Sequence, residues 1–242
     1  MTVKVKTVAV TGASQGIGAA IANLFLKHGY NVIANSRRIT RKNELQHSDR
    51  LVLVDGDVAL AATAGTIVAT AVKRFGSLDA LVNNAGTFFA KRFTDYKPED
   101  FQTLSATNLQ GFIYTTQEAI KQMLAQQTGG SIVSITATVA DHPLAAFTAS
   151  VPMITKGGIN AISRSLAMEY APQQIRVNAV APGVVDTPLL KDAPQDFLRT
   201  LSPLGQVSAA QDIAEAVFYL TESRQITGEV LHVDGGMHLG RW

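Results

Sequence analysis

Thr7-Val8-Ala9-Val10-Thr11-Gly12-Ala13-Ser14-Gln15-Gly16-Ile17-Gly18 runs from a short apolar stretch into three spaced glycines and then into an alanine-rich segment. The order reads as strand, sharp turn, helix. Gly12 lets the strand turn. Gly16 and Gly18 let backbone N–H groups at a helix N-terminus approach a pyrophosphate that a Cβ would hold away. The spacing is G-x-x-x-G-x-G, not the G-x-G-x-x-G of the commonest dinucleotide fingerprint. Glycine turns precede many helices, so the phosphate reading draws its weight from the strand before it and from the basic residues after the next strand.

Outward from this turn, apolar runs recur at Thr7–Val10, Asn31–Ala34, Leu51–Val54, Leu78–Val82, Ser131–Ile135, Arg176–Ala181 and Val230–Val233. Most are continuous rather than alternating, as in parallel strands covered on both faces. Helical stretches lie between them: Ile17–His28 before Gly29, Ala59–Phe75 before Gly76, and Pro98–Gln127 before Gly129-Gly130. Two more run over Ser150–Tyr170 and Ala209–Glu222, with Ser150 and Ser208 as N-cap candidates. The expected fold is α/β: a single Rossmann domain over residues 1–242, with one doubly wound parallel sheet of about seven strands flanked by helices.

The chain has 242 residues, 46% of them hydrophobic and 17% charged, which suits a compact core. Its net charge of +2 is too balanced for a nucleic-acid-binding surface over the whole molecule. No apolar stretch approaches the roughly 20 residues that cross a bilayer, and Met1-Thr2-Val3-Lys4-Val5-Lys6 carries no signal-peptide core. Cytoplasm is therefore the expected compartment. Without cysteine there is no disulfide, no thiolate nucleophile and no thiolate metal site. The five histidines (28, 47, 142, 232 and 238) show no metal-ligand spacing, so no metal site is expected.

Polar and glycine residues cluster just after the strands, where ligands bind in such sheets. The second strand ends Ser36-Arg37-Arg38, with Arg41 and Lys42 close behind. An NAD-selective site places a carboxylate here. A guanidinium instead binds a 2′-phosphate, which points to NADP(H) in preference to NAD(H). A solvated basic turn is the commoner use of such a run. Asp57-Val58 follows the third strand, where a carboxylate can reach an adenine amino group or cap the next helix. Asn83-Asn84-Ala85-Gly86 follows the fourth, and such asparagines are otherwise ordinary turn formers. Asn108 sits within a long helix that Gly111 could bend, a place where an asparagine can hold a water. Pro182-Gly183-Val184-Val185-Asp186-Thr187-Pro188 reads as a cofactor loop, with Thr187 suited to a carboxamide or phosphate. Asp234-Gly235-Gly236 closes the last strand.

Taken together, from Thr7 to Gly236, these segments resemble the short-chain dehydrogenase/reductase family. Thr11–Gly18, Asn83–Gly86, Arg176–Gly183 and Asp234–Gly236 stand in the family's order. The resemblance implies a Rossmann fold, NAD(P) binding and carbonyl–alcohol interconversion on a small-molecule substrate. It implies cofactor contacts from Gly12, Ser14, Gln15, Gly16, Ile17, Gly18, Ser36, Arg37, Arg38, Asp57, Val58, Asn84, Ala85, Gly86, Lys156, Pro182, Gly183, Val185 and Thr187. It also implies a homotetramer or dimer, paired through Pro98–Gln127 and Ser150–Tyr170, where Gly157, Gly158 and Ala161 allow close helix approach.

One departure outweighs these matches. The family's Tyr-x-x-x-Lys signature falls on Pro152-Met153-Ile154-Thr155-Lys156, and no tyrosine lies between Tyr114 and Tyr170. In the family the phenol protonates the carbonyl oxygen while the lysine lowers its pKa and holds the ribose. Proline has no side-chain proton to give, yet it suits the first turn of a helix. The family's serine aligns with Ala137, with Thr136 and Thr138 on either side, and a one-residue shift brings Thr138 into the role. The catalytic set is thus Asn108, Thr138 and Lys156, with the proton supplied either by Lys156, directly or through water held by Asn108, or by the Thr138 hydroxyl. His142 reads as an exposed turn residue and Tyr114 as packing.

Two functions follow: an NADP(H)-dependent oxidoreductase with a substitute acid, or an NADP(H)-binding protein with little redox activity. Nothing specific supports non-redox chemistry. The substrate pocket is expected among Thr87-Phe88-Phe89, the Thr138–Phe147 loop and a substrate loop at about 188–205. Phe88, Phe89, Leu144, Phe147, Leu189 and Leu190 make it apolar.

Overall fold

The computed structural model describes residues 5–145, 148–190 and 194–240. Phe147, expected at the pocket, lies outside the described residues.

Seven strands form one parallel sheet in the order β3-β2-β1-β4-β5-β6-β7. They are β1 (Thr7–Thr11), β2 (Asn31–Ser36), β3 (Leu51–Asp55), β4 (Ala80–Asn83), β5 (Gly130–Ile135), β6 (Ile175–Pro182) and β7 (Val230–Val233). Each coincides with an apolar run in the sequence, within a few residues at its ends. Successive side chains point to opposite faces, so a continuous apolar strand feeds two cores. Val8 and Val10 pack on one side with α1 (Gly16–Lys27) and α7 (Ala210–Glu222), through Ile21, Phe25, Ile213 and Val217. Ala9 and Ile33 pack on the other with α2 (Ala61–Phe75), α4 (Gly111–Gln126) and α5 (Ser150–Tyr170), through Ile67, Ile120, Met123 and Ala167. The two shorter helices are α3 (Pro98–Leu104) and α6 (Gln195–Thr200).

Three local expectations are corrected. The stretch from Pro98 is not one helix bent at Gly111. It is α3, a wide π-helical turn over Ser105–Gln110, and then α4, which Gly111 opens in ordinary helical geometry. Gly111 has no side chain because Val58 fills its place, 2.7 Å from where a Cβ would stand. Helix α7 is not capped by Ser208. Its N-cap is Ala209, whose N–H donates to Asp212 Oδ2 at 2.7 Å, while Ser208 donates its N–H to the Val184 carbonyl at 3.0 Å. Likewise Ala149, not Ser150, caps α5, which leaves Pro152 in the first turn, where no N–H is needed.

Candidate active site

The strand order changes direction between β1 and β4, and the polar residues at their ends are tied together there. Thr11 Oγ1 accepts the N–H groups of Asn84 and Ala85 at 3.1 and 3.0 Å. Asn84 Nδ2 donates to the carbonyls of Thr11 and Gly12 at 3.0 and 3.1 Å, so Asn84 anchors the glycine turn. Asn83 binds α4 instead, through Thr115 and Thr116. The glycines divide their work differently from the sequence reading. A Cβ on Gly18 would stand 2.3 Å from the Gly12 carbonyl oxygen and 2.4 Å from Asn84 Nδ2, so Gly18 is required for packing the helix on the turn. Gly16 takes φ +56°, which favours glycine, and a Cβ there would be in ordinary contact with Thr187 and Pro188 at 3.5–3.6 Å.

A cavity of about 490 Å³ opens at this point. Its wall includes Gly12, Gln15, Gly16, Ile17, Gly18, Asn84, Ala85, Gly86, Lys156, Pro182, Gly183, Val185 and Thr187, all expected as cofactor contacts. Thr87, Phe88, Val139, Leu189, Leu190, Leu198, Leu201 and Met237 make the remainder mostly apolar. Phe89 is not among them. Its ring lies 6.2 Å from that of Tyr96, with Lys91 Nζ 5.4 Å above it. Leu144 does not line the cavity either.

Lys156 enters the cavity from α5 and is 7% exposed, with its Nζ donating to the Ile135 carbonyl at 2.8 Å. Burial holds its pKa down to about 8. Asn108 sits in the π turn and is 2% exposed. Its Nδ2 donates to the Thr87 carbonyl and to Thr155 Oγ1, both at 3.0 Å, while its Oδ1 accepts the Thr87 N–H at 2.8 Å. Both amide hydrogens are committed, so Asn108 can offer a water only its oxygen. Gly86 lies between the two residues. A Cβ there would stand 3.3 Å from both Asn108 Oδ1 and Lys156 Nζ.

The expected adenosine side lies beyond Gly12 and Ser14. Ser36 ends β2 opposite Asp55 of β3, and the Asp55 carboxylate accepts the N–H and hydroxyl of Thr40. Those bonds hold its pKa below the usual carboxylate range. Arg37 and Arg38 are exposed and form no ion pair among the described residues. Asp57 Oδ1 accepts the Ala59 N–H at 3.0 Å, ahead of a helix that Leu60 caps, and Val58 is buried against Gly111.

This geometry has close relatives. A family model described as enoyl-(acyl carrier protein) reductase matches residues 12–238. A human 3-oxoacyl-[acyl-carrier-protein] reductase is 37% identical over 237 residues, covering 97% of this chain and 98% of its own. A putative ketoacyl reductase of granaticin polyketide synthesis from Streptomyces violaceoruber is 36% identical over 241 residues, covering 95% of each. Among solved structures, ElxO with NADP bound superposes with a TM-score of 0.87 at 29% identity, covering 97% of this chain and 99% of its own. A 3-ketoacyl-(acyl-carrier-protein) reductase from Brucella melitensis complexed with NADH also gives 0.87 at 29% identity, covering 96% and 98%.

The chain belongs to the short-chain dehydrogenase/reductase family.

Within this family member, Thr138 does not reach the cavity. It is fully buried, and its hydroxyl lies 2.8 Å from Asp234 Oδ2 and 3.1 Å from the Ala181 carbonyl. Asp234 accepts as well from the N–H groups of Gly236 and His238, and these bonds keep its pKa low. Ala137 and Thr136 line the cavity where Thr138 was expected, and the Thr136 hydroxyl donates to the Val180 carbonyl at 3.2 Å.

His142 is not a free turn residue. Its ring lies 5.2 Å from that of His232 and 5.6 Å from that of His238, and the last two stack at 4.5 Å. Ninety residues separate His142 from His232 along the chain, so sequence spacing could not reveal the cluster. Among the described residues no group of histidines and carboxylates is arranged to hold a metal ion, and no helix is long and apolar enough to cross a membrane.

Proposed function

We propose that this protein is an NADP(H)-dependent oxidoreductase for a carbonyl or alcohol substrate, in which Lys156 does the proton work that the family assigns to tyrosine. The observation that carries the reading is that Lys156 Nζ, on the wall of the cavity, and Asn108 Oδ1 each lie 3.3 Å from where a Cβ on Gly86 would stand. The residues fit a dinucleotide. Gly16, at φ +56°, and Gly86 both line the cavity, and a Cβ at Gly86 would stand 3.3 Å from Lys156 Nζ and Asn108 Oδ1. A bound nicotinamide would supply the hydride.

Pro152 stands one helical turn before Lys156, where i and i+4 side chains share a face, and it offers no proton. Lys156, with a pKa of about 8, is largely protonated at neutral pH and can release a proton to an oxyanion. Asn108 Oδ1 can orient the ammonium or a water beside it. Thr155 Oγ1 accepts from Asn108 and donates to the Pro152 carbonyl at 2.9 Å, which fixes the turn that presents Lys156. The apolar wall around Phe88, Leu189 and Leu198 suits an apolar carbonyl compound. The test is NADPH oxidation against a panel of diketones, quinones and acyl-thioester ketones. No turnover of any of them would give the lead to a second reading, an NADP(H)-binding protein. The withdrawal of the Thr138 hydroxyl from the cavity favours that alternative.

The preference for NADP(H) rests on Arg37 and Arg38, which stand free at the end of β2. One guanidinium–phosphate pair contributes about 1.5–3 kcal/mol, roughly 10- to 100-fold in affinity. Calorimetric titration with NADPH and NADH measures it. Equal affinities, or a preference unmoved by both Arg37→Ala and Arg38→Ala, would remove the assignment.

The oligomer is proposed as a tetramer, with a dimer as the smaller alternative. Ile154, Gly158, Ala161 and Met168 are exposed along one stripe of α5, and Ile113 and Leu124 are exposed on α4. A monomeric mass by light scattering at micromolar protein would reject this.

A further inference from the structure

We propose that Glu44 is a counter-anion held over the glycine turn, where it sets how tightly, and with what preference, the cofactor's adenosine-side phosphates bind. The proposal rests on the dinucleotide reading above.

No helix connects β2 to β3. Residues 37–50 form turns and irregular chain instead, and this segment lies against α1. Ile39 is fully buried and Leu45 packs on the core that α1 shares. Asn43 stiffens the loop between them, with Nδ2 donating to the Ile39 carbonyl at 2.9 Å and Oδ1 accepting the Leu45 N–H at 3.0 Å. Asn23 of α1 then grips the chain on both sides of Leu45, just after Glu44. Its Nδ2 donates to the Glu44 carbonyl at 3.1 Å and its Oδ1 accepts the Gln46 N–H at 2.9 Å. The Glu44 N–H donates to the Ser14 carbonyl at 3.0 Å, within the glycine turn itself. The backbone of Glu44 is thus held at both its N–H and its carbonyl, which places its side chain beside the glycine turn. Its Oε2 accepts the Gly16 N–H at 3.2 Å.

Gly16 is the first residue of α1, so its N–H is one of the donors that a helix leaves unpaired and that favour an anion. It also lines the cavity proposed for the dinucleotide. A carboxylate there stabilises the empty turn and opposes any phosphate brought to it, because like charges at this range repel. The opposition is greatest for the cofactor with the additional phosphate at its adenosine end. Ser14 contacts the Glu44 backbone, and the Ala13 N–H donates to the Asn35 carbonyl at 2.9 Å, one residue before Ser36. Glu44 therefore sits at the same end of the site as Arg37 and Arg38 and acts against them. The arginines attract the 2′-phosphate, and the glutamate limits how tightly it is held.

Glu44→Gln keeps an oxygen for the Gly16 N–H and removes the charge. Isothermal titration of wild type and Glu44→Gln with NADPH and with NADH is the test. The expected result is a Kd for NADPH lower by about three- to tenfold in the variant, with a smaller change for NADH. Thermal melting adds a second readout: Glu44→Gln without cofactor melts no higher than wild type, yet gains more from saturating NADPH. Unchanged affinities in a variant that still binds NADPH would overturn the counter-anion role alone. Weaker NADPH binding would overturn it too, because Glu44 would then be a contact that supports the cofactor. Failure of both proteins to bind either dinucleotide would remove the cofactor reading and this inference together.

Discussion

Lys156 Nζ donates to the Ile135 carbonyl at 2.8 Å from inside the protein and has no carboxylate partner among the described residues. Burial takes its pKa from 10.5 to about 8. A lysine shifted this way contributes stability above pH 10.5 that is lost as pH falls through about 8, so at pH 7 the full penalty stands. By linkage that penalty is on the order of 3 kcal/mol, offset by the bond to Ile135. Lys156→Met is expected to raise stability at pH 7 by about 1–2 kcal/mol, a few degrees in Tm, while abolishing turnover. Thermal melts and NADPH oxidation check the two halves. A lower Tm would mean that the ammonium holds the fold together.

The Thr138 hydroxyl is bound to Asp234 and turned away from the cavity, so Thr138→Val should leave the chemistry alone and damage the frame. The variant leaves the buried Asp234 carboxylate short of one donor and should lose about 1–2 kcal/mol of stability. Its kcat should stay within a few-fold of wild type. Urea unfolding and steady-state kinetics measure these. A drop in kcat of a hundredfold or more with stability intact would return the hydroxyl to catalysis.

His232 has its pKa lowered, first by burial and then by the neighbouring His238 charge, with His142 adding to the effect and Asp234 and Asp141 opposing it. A depressed histidine contributes stability that is full above about pH 6.5 and lost as pH falls through its folded value. Asp234, depressed by its donors, extends the loss below about pH 3.8. With the Lys156 loss complete by about pH 7, melting temperature should fall again as pH drops below about 6.5. His232→Gln should flatten that fall. An equally steep decline in the variant would place the acid sensitivity elsewhere.

The sheet was legible because every strand is an apolar run of its own, and the glycine turn because its three glycines stand between a strand and a helix. Most of the cavity wall was legible for the same reason: the wall residues follow strand ends. What escaped depended on contacts between distant segments. Thr138 is adjacent in sequence to the cavity-lining Ala137, but Asp234, ninety-six residues on, captures its hydroxyl. Gly18 has a packing duty, against the Gly12 carbonyl and Asn84, that its place in the motif does not reveal. The Glu44 carboxylate lies in a loop with no motif, and the bonds from Asn23 and to Ser14 bring it to Gly16. The π turn holding Asn108 has the composition of an ordinary helix.

Pro152 offers the sharpest test of the proton source. It is buried in the first turn of α5, where proline costs little and where tyrosine would restore an N–H that the helix does not need. Pro152→Tyr places a phenol one turn from Lys156, on the same face, beside an ammonium that favours the phenolate. If this position has only lost a donor, the variant should reduce a simple diketone with NADPH faster than wild type, by about tenfold or more. The rate should also rise toward a plateau set by the new phenol rather than follow the lysine's titration near pH 8. The gain is limited from two sides: Ala137 offers no hydroxyl to polarise the carbonyl, and the ring must displace its neighbours in a buried turn. Lys156→Ala should weaken NADPH binding in both backgrounds. A wild type that reduces the diketone well, and a Pro152→Tyr protein that is slower at equal stability, would show that Lys156 already delivers the proton and that the phenol only crowds it.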